Sequence, residues 1–206
     1  MRERSDSAAM RVIIFTLSYI FAAGVLAAVR GNAEFVFYIA IMLLLGAAIY
    51  WVHSKVGLSP ALLWCLSVWG LMHMAGGLLE CPAAWPTAGK TRVLYNLWII
   101  PGYFKYDQLT HVYGFGVTTW LCWQALSESL RGEGVEVVRP TLGRLTLCAA
   151  AGMGFGAFNE IVEFVATLTI PETNVGGYRN TGWDLVSNLA GCLIAGVWIR
   201  IAHRSP

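Results

Sequence analysis

The chain has 206 residues, of which 57% are apolar, 13% aromatic and 13% charged, and its net charge is +2. A water-soluble domain carries roughly 25% charged residues, so this composition excludes a soluble enzyme, a disordered chain and a collagen-like one. The near balance of 14 basic and 12 acidic residues gives no reason to expect nucleic acid or a polybasic lipid tether, and an integral membrane protein is what is left.

A membrane-spanning helix needs about 20 mostly apolar residues, and six such runs occur in chain order. The first, Val12 to Val29, and the second, Phe35 to Val52, contain no charge. Arg2, Arg4 and Arg11 precede the first run, as in a signal peptide, but the run exceeds the roughly 7–15 residues of a signal core and reads as a retained helix. The third run is about Leu58 to Leu79, with His73 inside it. An aromatic segment, Cys81 to Tyr106, follows. It holds Trp85, Tyr95, Trp98, Tyr103 and Phe104, side chains suited to the headgroup level. Within it, Thr91 to Ile100 is expected as a short interfacial helix that stops before Pro101-Gly102. The fourth run is about Asp107 to Leu126, the fifth about Leu145 to Leu168 with Glu160 and Glu163 inside it, and the sixth about Trp183 to Ile201. The expected fold is all-α: a polytopic membrane protein, one domain over residues 1–206, with six transmembrane helices. Five cysteines, an odd number with no Cys-x-x-Cys pair, argue against a disulfide framework.

Basic residues set the orientation. With the N-terminus inside, nine lie on the cytoplasmic side (Arg2, Arg4, Arg11, Lys55, Arg131, Arg139, Arg144, Arg200, Arg204) and five outside (Arg30, Lys90, Arg92, Lys105, Arg179). Both termini are therefore expected in the cytoplasm.

Ionisable residues inside a membrane span are costly, and by default they mark function. The cores of the first two helices have none, whereas helices 3 to 6 each have at least one. A four-helix polar core from helices 3 to 6 follows, with the first two helices on its flank. At 1.5 Å per residue, His73, Glu160 and Glu163 sit about 10–15 Å below the outer rim, with His111 and Asn188 one turn below Asp107 and Asp184. Four helices thus bring their polar groups to one depth. Asp107 with His111, and Asp184 with Asn188, are spaced i, i+4; Glu160 and Glu163 are i, i+3, with Asn159 beside them. Each pair shares one helix face.

Imidazole and carboxylate together suit a divalent metal, Zn²⁺, Mn²⁺ or Fe²⁺, and buried acids need such a counter-ion. The expected ligands are His73, Asp107, His111 and Asp184. Glu160 or Glu163 is expected as general base, Arg179 as the holder of a substrate phosphate or carboxylate, and Asn159 and Asn188 as further substrate contacts. A relay of protons or ions is a second possibility, but the inner halves of these helices lack the groups to complete a path. A third is a purely structural hydrogen-bond network between helices.

The segments Tyr106-Asp107-Gln108-Leu109-Thr110-His111, Asn159-Glu160-Ile161-Val162-Glu163-Phe164 and Asn180-Thr181-Gly182-Trp183-Asp184 resemble the YjdF-like inner-membrane proteins, a family without an assigned reaction. Asp107 and His111, then Glu160 or Glu163, Arg179, and Asp184, Asn188 and Gly191 are also similar to the VanZ-like pattern, a family associated with resistance to glycopeptide antibiotics. The resemblance covers roughly Glu80 to Gly196 and implies a bacterial inner-membrane location; it supplies no substrate. The functional expectation is a metal-dependent hydrolase or transferase acting on a lipid or amphiphile at the outer leaflet. Its rival is a non-enzymatic binder or transporter of such a molecule.

Overall fold

The computed structural model describes residues 2–203, with side chains from residue 7 onward. Of the basic residues used to orient the chain, Arg204 and the side chains of Arg2 and Arg4 lie outside the described part. Six long helices dominate: α1 (Arg2–Val29), α2 (Ala33–Val56), α3 (Pro60–Leu78), α4 (Tyr106–Gly132), α5 (Leu142–Thr169) and α6 (Tyr178–Ala202). Five of them are long and apolar enough to cross a membrane. The exception is α4, long enough but carrying the polar face of the site, and it lies against α3, α5 and α6. The side chains turned outward are those lipid would solvate, among them Phe21, Leu44, Trp51, Phe164 and Ile194, all exposed. The molecule is an all-α polytopic membrane protein.

Local chemistry fixes the helix ends. Asn32 caps α2 by accepting from the Phe35 amide at 3.0 Å, and Gly57 ends it in the left-handed conformation, φ 67°, which costs glycine little. Ser59 caps α3, with Pro60 at its first position, where a missing N–H costs nothing. Gln124 of α4 ties this cap to its neighbour: its amide donates to Ser59 Oγ (2.7 Å) and its oxygen accepts from the Ser59 amide (2.9 Å). α6 starts five residues before the expected Trp183, which puts Asn180 on the same face as Asp184 and Asn188.

The segment between α3 and α4 departs from expectation. Thr91 to Ile100 is not a helix: only Leu94–Asn96 makes a 3-10 turn, and Trp98–Ile100 (β1) pairs antiparallel with Phe104–Lys105 (β2). The cause is local. Pro101-Gly102 forms the turn between the strands, with Gly102 at φ 79°, and bulky residues such as Ile99 and Ile100 favour extended backbone. Arg92 organises the rest. Its guanidinium donates to the carbonyls of Pro82 (2.6 Å), Ala83 (3.1 Å) and Trp85 (2.8 Å) and to Thr87 Oγ1 (3.0 Å). Arg92→Ala is therefore expected to loosen this segment alone. Faster amide exchange and protease cleavage within residues 81–106, with an unchanged helical signal, is the result to look for; equal exchange rates would contradict it.

The flank helices also differ from expectation in one respect. α1 packs along α3, but α2 stands off and brings Glu34 and Tyr38, both buried, toward the polar core. Glu34 opens its helix ahead of the apolar run, where the pattern of apolar residues gives no sign of it.

Candidate functional site

His111 lies at the centre. α4 places it one turn below Asp107, and the close crossing of α4 and α6 brings Asn188 beside it. Nδ1 of His111 lies 2.9 Å from Asn188 Oδ1, so the ring donates there and leaves Nε2 as a lone-pair donor. Nε2 faces Asp107 Oδ1 at 3.8 Å. Glu160 of α5 approaches from the other side, its Oε1 3.8 Å from Nδ1. Among the described residues two groups of ligand atoms result, each within 4.8 Å of one another: Asp107, His111 and Asp184, and His111, Glu160 and Glu163. His111 belongs to both.

Asn180 and Lys105 hold the first group in place. The Asn180 amide donates to Asp184 Oδ2 (2.5 Å) and Asp107 Oδ2 (3.3 Å), and its oxygen accepts from Lys105 Nζ (2.5 Å). Lys105 Nζ also meets Asp107 Oδ2 at 3.4 Å. These bonds occupy the Oδ2 atoms. Asp184 Oδ1 and both oxygens of Glu160 are buried without a hydrogen-bond partner. Unpaired buried carboxylate oxygens are costly, and here they gather around the His111 ring. Asn159 steadies Glu163, donating to its Oε1 at 3.1 Å.

Six of the nine expected residues (Asp107, His111, Glu160, Glu163, Asp184 and Asn188) gather here, with Asn159 bound to Glu163. His73 stands outside both groups. Its Nδ1 is taken by the Tyr95 hydroxyl from the outer segment, and Tyr95 packs flat over Gly76. Burial pushes the Tyr95 hydroxyl well above its usual pKa, so it stays protonated and one proton is shared between it and His73 Nδ1. Arg179 is exposed and lines neither the polar vestibule nor the apolar cavity described below; among the described residues Lys105 is the cation that reaches the acids. Lys105 and Asn180 have no signal as site residues in the apolar pattern, because one precedes the fourth apolar run and the other lies ahead of the sixth.

Cavities adjoin the cluster among the described residues. A polar vestibule of about 50 Å³ is lined by Glu34, Tyr38, His73, Lys105, Asp107 and Glu163, among others. A cavity of about 440 Å³ runs among α1, α2, α3 and α5. Tyr38, His73 and Glu163 line both.

A family model described as predicted membrane protein (DUF2238) matches residues 9–205, and the chain belongs to that family. All three segments that carry the YjdF-like resemblance lie inside the match. No curated protein and no solved structure matches the chain.

Proposed function

We propose that this DUF2238 protein is a metal-dependent hydrolase or transferase acting on a lipid or amphiphile at the outer leaflet of a bacterial inner membrane. The observation that carries the reading is the convergence on His111 of carboxylate oxygens that have no hydrogen-bond donor. Four acids (Asp107, Glu160, Glu163, Asp184) meet one lysine there, and one divalent ion would neutralise two of the charges. One imidazole with two carboxylates suits Zn²⁺, Mn²⁺ or Fe²⁺. Such an ion supplies positive charge that polarises a substrate oxygen and acidifies a water.

The chain's own groups divide the remaining work. Asp107, His111 through Nε2, and Asp184 through Oδ1 are the ligands. Asn188 fixes the His111 tautomer, as outer partners of metal-binding histidines do. Glu160, whose buried oxygens have no hydrogen-bond partner, is assigned as the base that takes a proton from water as the water oxygen bonds to a carbonyl or phosphoryl centre, and that returns it to the departing oxygen. Lys105 stands where Arg179 was expected, beside any anionic group of the substrate. The VanZ-like resemblance enters through the chemistry of these same positions. The excess of basic residues on one side supports placing both termini in the cytoplasm, which puts the site in the outer half of the bilayer.

Elemental analysis of the purified chain tests the reading: about one divalent ion per chain is expected. Protein that carries none, and takes up none added back, would refute it. The rival, a non-enzymatic binder or transporter, draws its support from the apolar cavity beside the cluster, which needs no metal. It predicts bound amphiphile in protein stripped of metal, and no turnover.

A further inference from the structure

We propose that the cavity among α1, α2, α3 and α5 holds the single long hydrocarbon chain of an amphiphile with a compact anionic head, and that the bond joining head to chain sits at His73 and Glu163. This rests on the amphiphile reading above and names its substrate class.

The size of the cavity is that of a ligand site. Its volume, about 440 Å³, falls within the roughly 300–1,000 Å³ of small-molecule pockets. Its wall is largely aliphatic, with Ile13, Leu17 and Ile20 from α1 and Leu66 from α3 among its residues. Along α2 the lining runs from Tyr38 to His53, a rise of about 22 Å. Half the hydrocarbon core of a bilayer is about 15 Å, so the cavity accommodates a full leaflet-length chain. Gly46 lies partway along this wall, and a Cβ built there meets nothing within 4 Å.

The outer end fixes the head. Only through Tyr38, His73 and Glu163 does the apolar cavity share lining with the polar vestibule. The vestibule is small: at roughly 10–15 Å³ per water, its 50 Å³ admits a carboxylate or a monophosphate and little more. Lys105 lines it beside Glu34, Asp107 and Glu163, so what holds an anionic head there is Lys105 together with the divalent ion proposed at His111. Glu163 belongs at once to the apolar cavity, the vestibule and a group of metal-ligand atoms. A chain lying in the cavity therefore presents its first polar linkage to Glu163 and His73, which line both spaces.

The test uses the full chain in nanodiscs, titrated with hexadecyl phosphate, octyl phosphate and hexadecylammonium, with affinities expressed per mole of bilayer lipid and empty nanodiscs subtracted. Hexadecyl phosphate is expected to bind at least about tenfold more tightly than either of the others. Gly46→Trp fills the cavity and is expected to weaken hexadecyl phosphate at least about tenfold. Gly154→Trp is the control: it also replaces an exposed glycine with open space around it, but lines neither cavity, and it is expected to bind as the unmodified chain does. Equal binding by Gly46→Trp, or no gain from octyl to hexadecyl, overturns the chain site. Equal binding of hexadecylammonium overturns the anionic head. The octyl-to-hexadecyl comparison in the unmodified chain decides the matter even if Gly46→Trp does not fold. Metal content measured on the same preparations separates this inference from the enzymatic reading: chain-length-dependent binding by metal-free protein would keep the cavity site and refute the metal.

Discussion

His111→Ala is expected to abolish stoichiometric metal binding, whereas removing any one acid weakens it. The asymmetry follows from connectivity. Asp107 and Asp184 belong to one group of ligand atoms and Glu160 and Glu163 to the other, but His111 is common to both. An ion that lost Asp184 could shift toward Glu160 and Glu163; an ion that lost His111 would face carboxylates alone and its only imidazole would be gone. Asn188→Ala is expected to have an intermediate effect, a loss of about 10–100-fold in affinity, because it frees the His111 ring without removing a ligand. Calorimetric titration with Zn²⁺ and Mn²⁺, together with elemental analysis, measures all of these. If His111→Ala keeps its metal, the ion does not sit where the two groups meet, and the catalytic assignment of Glu160 fails with it.

Much of this site was legible from spacing. Asp107 with His111, and Asp184 with Asn188, share faces because a helix repeats every 3.6 residues, and the depth of each pair follows from its distance to the helix end. Lipid leaves few places for a carboxylate, so sparse charges are informative. What was not legible depended on tertiary contacts. His73 lies at the right depth, yet Tyr95 holds its Nδ1 from a segment whose fold the pattern did not reveal. Arg179 lies in sequence between the right neighbours, but the early start of α6 leaves it on an exposed face, and Lys105 from a strand end takes the place beside Asp107. Glu34 and Tyr38 are invisible to a search for polar residues within apolar runs, since one precedes its run and the other reads as an aromatic within it. The cavity has no sequence signal at all: it exists because α2 stands away from α3, with Gly46 facing the gap.

Gly191→Ala is expected to be the most destabilising single-methyl addition in the protein, and to disable the site as it does so. α4 and α6 cross glycine on glycine. A Cβ on Gly191 would press hardest on the Val112 carbonyl oxygen and would lie 2.9 Å from the Val112 carbonyl carbon and 3.0 Å from the Gly116 nitrogen. These are backbone atoms of a helix, which cannot turn aside as a side chain can, so the helices must move apart. Overpacking of a close-packed interior costs about 1–3 kcal/mol, and close approach of small residues is a main source of attraction between helices in lipid. The site shares this contact. Val112 follows His111, and Asn188 lies one turn before Gly191, so any separation lengthens the 2.9 Å bond that fixes the His111 ring. Gly116→Ala should be milder, because its Cβ would stand 3.2 Å from the Gly191 carbonyl oxygen. Gly196→Ala, on the same helix with nothing within 4 Å, is the control and should leave stability and metal content unchanged. Thermal unfolding in detergent ranks the three, and elemental analysis reads the site. A Gly191→Ala protein that melts with the unmodified chain would show that α4 and α6 do not depend on this crossing, and a variant that is destabilised but fully metal-loaded would show that the site does not depend on it.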